Sequence, residues 1–241
     1  MIAILKRELV GFFKNSTAYL ILAIYAFMSA LFFGLNVVLQ NTSYMGYYFG
    51  LWLFIVNIII VSVLAMRFFS EERKNRTDQL IFTSPVSITS VVLGKYLGGM
   101  AVYVACTLIN LVYVFIIDMF GSPDGGTNLA NFIGTILLGC SMVAIALFVS
   151  SLTENAIVAA GGTAAVFLLL MMVEFVASFL YGLLPGWMKW FPDALQKMNI
   201  FLWYDNFAGG ILDLTAVVFY LSVSAVFLFL TARVLERRRW H

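Results

Sequence analysis

Residues 67–96 read RFFSEERKNRTDQLIFTSPVSITSVVLGKY, a polar island between two long apolar runs. It holds eight of the chain's 26 formally charged residues, and charge at that density belongs in water. The island carries helix signals as well. Ser70 reads as an N-cap, with Glu71 and Glu72 in the first turn where the helix dipole favours negative charge. Leu80, Ile81 and Phe82 make an apolar knuckle, and Thr83-Ser84-Pro85 ends the helix, because the residue before proline is pushed out of the α region. Ser87 is placed to cap the helix that follows. Apolar side chains held out in water mark a contact. The island therefore reads as a docking segment for a soluble partner.

The sequence around it sets the class. Charged residues make up 11% of the chain and apolar ones 63%, where a soluble domain carries roughly a quarter charged. Runs nearly free of charge and long enough to cross a hydrocarbon layer of ~30 Å place six spans, at 18–39, 50–69, 90–118, 129–152, 156–181 and 214–233. No backbone group can stay unpaired in lipid, so each run is expected to be a helix. The expected fold is an all-α polytopic membrane protein, a single transmembrane domain over residues 1–241. The first run is too long for the core of a cleavable signal.

Orientation follows from the basic residues. Of 14 Lys and Arg, all but Lys189 and Lys197 fall before the first span, in the 67–96 island, or at the end of the sixth span and beyond. Six spans put those segments on one side, and the positive-inside rule makes that side, with both termini, cytoplasmic. The slight positive balance (net +2) reflects orientation, with no nucleic-acid partner expected. Cys106 and Cys140 both fall within spans and read as buried small hydrophobes.

Residues 1–16 place Ile2, Leu5, Leu9, Phe12 and Phe13 on one helical face, the pattern of an interfacial amphipathic helix. Residues 182–213 are too polar to span, yet hold Trp187, Trp190, Phe191, Phe201, Trp203, Tyr204 and Phe207. Two short helices at the outer leaflet, parted near Asn199, are expected there. Gly94 and Gly98 have GxxxG spacing, which reads as close helix packing within the chain.

These features converge on a resemblance. EERKNRTDQLIFTSPVSITSVVLGKY is similar to the first cytoplasmic loop of ABC-2-type transporter permeases: an acidic pair, a Thr, a Leu-rich knuckle, a Pro with a hydroxyl residue two places on, then Gly-Lys. KRELVGFFKNSTAYL, FVSSLTENAIVAA and RVLERRRW extend the likeness over most of the chain, which most resembles the gliding-motility-associated branch. The resemblance implies a type V exporter-like fold, with residues 1–16 as a connecting helix and 70–88 as the loop of a coupling helix. Glu71, Glu72, Thr77, Leu80, Ile81, Phe82, Pro85 and Ser87 would contact a cytoplasmic ABC ATP-binding subunit, with Glu154 of the link between spans four and five adding a second contact. ATP and Mg would be used by that partner, and no cofactor bound by this chain. A second permease, identical or a different subunit with an extracytoplasmic domain, would complete the pathway in the cytoplasmic membrane. Asn57, Asn110 and Glu174 are candidates for lining that path.

Other readings meet obstacles in the sequence. Glu71-Glu72-Arg73-Lys74-Asn75-Arg76 fits the E-E-x-x-x-R motif of glutamate-type intramembrane proteases, but the single His is His241, so the histidines such a site needs within spans are missing. Gly94-Lys95 is followed by Tyr96, outside a phosphate-binding G-x-x-x-x-G-K-[ST] loop. An ion-coupled carrier would use intramembrane ionisable groups, and Glu174 is the one carboxylate well inside a span. That carrier and a membrane assembly or scaffold subunit stand as the alternatives to an ATP-driven transporter subunit.

Overall fold

The computed structural model describes residues 2–14, 16–39, 53–74, 87–120 and 125–239, and every regular element among them is helical. Helix α1 (Ile2–Lys14) turns through 67° into α2 (Ser16–Phe33), which ends in a π-turn at Gly34–Val38. The second span is α3 (Leu53–Ala65), continued by a π-turn at Met66–Ser70 and the short α4 (Glu71–Lys74). Among the described residues, five helical stretches are long and apolar enough to cross a membrane, six if the bent α1–α2 pair is one span.

Three sequence boundaries shift. Span three divides into α5 (Ile88–Leu108) and α6 (Asn110–Phe120), where the N–H of Ile109 reaches back only three residues to Cys106. The fourth span, α7 (Gly125–Leu152), starts four residues earlier than its apolar run. The last span, α11 (Leu214–Arg239), carries its helix through the basic cluster, helped by an Arg233–Glu236 pair at 3.0 Å. Ser70 is not an N-cap. The helix of span two runs through it, and its fully buried hydroxyl is spent on Ser150 of α7.

The cap expected at Ser87 stands: its Oγ accepts the Ser90 N–H at the start of α5 (3.4 Å). A further cap, which the sequence reading did not name, is Asn155, whose Oδ1 accepts the Ile157 N–H at the start of α8 (Ala156–Leu183; 2.9 Å). Outside the spans, a 3₁₀ turn at Gly186–Met188 precedes α9 (Trp190–Met198), which stops at Asn199. A second 3₁₀ turn, Leu202–Tyr204, runs into α10 (Asp205–Ala208). Gly210 then takes φ +83°, and the bonds Gly210 N–H to Phe207 O and Ile211 N–H to Asn206 O close a helix end that needs a left-handed residue.

At the centre lie α3, α5 and α7, while α8 and α11 present most of their residues outward. Water is absent from such an interior, so polar side chains pair across helices. Asn110 donates to Tyr25 Oη (2.8 Å) and Ser29 Oγ meets Tyr113 Oη (3.0 Å), joining spans one and three. Tyr103 Oη donates to the Thr135 carbonyl (3.1 Å), and Tyr204 Oη meets Thr135 Oγ1 (3.1 Å) and Asn131 Oδ1 (3.1 Å), tying the outer segment to α7. The Tyr103 ring lies where a Cβ on Gly139 would sit. Gly139→Ala should therefore destabilise the protein by about 1–3 kcal/mol through overpacking, whereas Gly161→Ala, with open space at its Cβ, should leave thermal unfolding in detergent nearly unchanged.

Candidate functional site

The site is built on a pair of glycines. A Cβ on Gly94 would lie 2.7 Å from Ile4 Cγ2, and one on Gly98 would lie 3.0 Å from Glu8 Cβ. Ile4 and Glu8 are one helical turn apart, so α1 lies against the Gly94–Gly98 seam of α5 with nothing between them. The GxxxG spacing is thus used within the chain. Between the two glycines stands Lys95, 1% exposed.

Its ammonium lies 2.8 Å from Glu72 Oε1 and 3.3 Å from Glu8 Oε1, and 5.2 Å from the centre of the Phe69 ring. Arg7 Nη2 reaches the same two oxygens, at 2.9 Å from Glu8 and 3.5 Å from Glu72. Two cations and two carboxylates from three helical segments form one network. Arg67 extends it: its Nε lies 3.4 Å from Glu71 Oε2, and its guanidinium stacks 5.0 Å from the ring of Phe12 on α1. A buried ion pair is held only where both charges are paired and hydrogen-bonded, and this one clamps α1, the C-terminal end of span two and the start of span three.

Beside the clamp, the end of span two is fastened to the link between spans four and five. Ser70 and Ser150 bond through their hydroxyls (3.0 Å), and Arg73 Nη1 donates to the Thr153 carbonyl (3.4 Å). Arg238 of the last helix donates to the Leu152 carbonyl at 3.2 Å. Glu154 of that link is exposed.

Of the sequence candidates, the structure brings Glu72 into the clamp, puts Glu71 on its rim and sets Ser87 at the head of α5. Thr77, Leu80, Ile81, Phe82 and Pro85 lie outside the described residues. Lys95, Glu8 and Arg7 were not singled out as site residues. A lone lysine in an otherwise apolar run, with unpaired carboxylates elsewhere on the same side, was the available signal.

A second feature lies along the spans. Ile55, Ile58, Ile59, Ser62 and Val63 of α3 face Ala160, Gly161, Ala164 and Leu168 of α8 across a groove of about 410 Å³. Asn57 and Asn110 are not on it: both are buried in the bundle, and Asn110 is committed to Tyr25. Glu174, on the C-terminal half of α8, is exposed. Near it, desolvation and, second, the negative charge of Glu174 raise the Asp205 carboxyl above its usual range. Asp213 goes the other way. It caps α11, and the Thr215 N–H (2.8 Å), with Asn206 Nδ2 (2.9 Å) adding to it, holds its carboxyl below the usual range.

A family model described as ABC-2 family transporter protein matches residues 35–234. The chain belongs to this family. No curated protein matches it. As an ABC-2 protein it is a multi-pass permease subunit of an ABC transporter, a transmembrane component rather than a catalytic one. The clamp lies partly inside and partly before the matched stretch: Glu72 and Lys95 are within it, Arg7 and Glu8 precede it.

Lys95→Met should strip the clamp of its central charge and cost on the order of 3 kcal/mol, because two carboxylates keep only Arg7 between them. Adding Glu72→Gln should recover part of that loss. Thermal unfolding of the purified protein in detergent checks both.

Proposed function

We propose that this ABC-2 permease is half of the transmembrane part of an ATP-driven exporter of the bacterial cytoplasmic membrane, with both termini cytoplasmic. Residues 75–86 would dock on an ABC ATP-binding subunit that hydrolyses ATP with Mg. The reading rests chiefly on the clamp. The two stems of that loop, Glu72 on one side and Lys95 on the other, meet at 2.8 Å, so force applied to the loop passes into spans two and three together. The tie from Arg73 to Thr153 carries it on to spans four and five, which favours the 153–155 link as a second contact.

Six spans are few to enclose a pathway, which supports pairing with a second permease, identical or from the partner type of the gliding-motility-associated branch. The groove between α3 and α8 gives the substrate a surface. Its lining is apolar except for Ser62, and small residues form its α8 wall, which suits an alkyl chain. An amphipathic or lipid-linked molecule fits that lining, with the exposed Glu174 further out on the same helix.

Co-expression with a candidate ABC ATP-binding subunit tests the docking. Leu80→Asp with Phe82→Asp should abolish recovery of the ATPase with the tagged permease while leaving the permease folded. Undiminished recovery would remove residues 75–86 from the interface.

A further inference from the structure

An α-helix bonds each N–H to the carbonyl four residues back, and a π-turn bonds it to the fifth. In the Met66–Ser70 turn the N–H of Glu71 reaches Met66 O, five back. Where the register changes from four to five, one N–H is skipped and left without an acceptor in its own helix. A buried N–H in that position needs a partner from elsewhere. Ser150 of α7 provides it: Phe69 N–H donates to Ser150 Oγ at 3.0 Å, and Ser70 N–H lies 3.3 Å from the same oxygen. The remaining bonding capacity closes locally, with Ser70 Oγ 3.0 Å from Ser150 Oγ and donating to the Ser150 carbonyl at 3.3 Å. Both serines are fully buried.

The residues that follow the turn are those of the clamp. One residue of helical register corresponds to about 100° of rotation and 1.5 Å of rise. Closing the π-turn to α geometry would swing Glu72 away from Lys95 and turn the stem of residues 75–86 with it. We propose that Ser150 is the positioning residue of this joint, holding residues 66–70 in π register and thereby aiming Glu72 at Lys95. Ser150 stands two residues before the end of α7, next to the 153–155 link. Movement of that link and rotation of the loop stem are then joined through one hydroxyl. What this does for ATP coupling rests on the function proposed above; the control of register does not.

The test measures register without any ATPase. A double-mutant cycle of Glu72→Gln and Lys95→Met, read as the thermal midpoint of the purified full-length protein in detergent, reports whether the two side chains touch. The coupling is expected in the otherwise unaltered protein, lost in Ser150→Ala, and regained when Met66 is deleted from Ser150→Ala, since removing the extra residue lets a plain α-helix return Glu72 to Lys95. A Ser150→Ala protein that loses stability but keeps the coupling would overturn the proposal, as would a deletion that fails to restore it. If Ser150→Ala does not fold, deletion of Met66 alone decides. Retained coupling supports the π register, whereas loss of coupling, as expected when a residue is removed from an ordinary helix, refutes it.

Discussion

Burying the ammonium of Lys95 is the constraint on which the α1 end of this permease depends. An unpaired charge taken from water costs several kcal/mol, and Lys95 is 1% exposed. Its two carboxylates come from different places in the chain, Glu8 on α1 and Glu72 after the second span. The helix of Lys95 carries no carboxylate of its own, so the lysine enforces the assembly of the three segments. Gly94 and Gly98 admit α1 closely enough for Glu8 to reach it. The π-turn at Met66–Ser70 then sets the angle at which Glu72 arrives.

The two ends of the bundle are held by different means. The end with α1 and the loop stems uses charge. The opposite end uses aromatic rings with hydroxyl bonds. Phe54 of α3 packs against Phe201 (5.1 Å between centroids) and Tyr204 (5.0 Å), and Phe207 lies against Gly134 of α7. Tyr220 on the last span donates to the Ile200 carbonyl at 2.8 Å. Such contacts are worth less apiece than a buried ion network but need no desolvation of charge, and they let residues 199–210 sit among spans two, four and six.

Much of this was legible because it follows from what lipid forbids. Apolar runs long enough to cross became helices, and the break at Asn199 and the cap at Ser87 fell where side-chain chemistry puts them. The family was legible from the 67–96 island. What was not legible depends on partners distant in sequence. Ser70 has the local signature of an N-cap, yet a serine 80 positions away takes its hydroxyl and lets the helix run on. A π-turn leaves no composition signal, since it is set by an acceptor on another helix. Nor does the sequence say which partners buried amides take: Asn110 fastens span three to span one, and Asn57 lies inside the bundle.

The seam of small residues on α5 is filled by the chain's own first helix. That motif is therefore closed to other subunits, and any pairing between permeases falls to the outward faces, above all α8. Those faces carry no part of the charge network. On the proposed function, partner choice and force transmission would then reside on separate surfaces, so substitutions facing lipid could change the pairing partner while the clamp stays as it is.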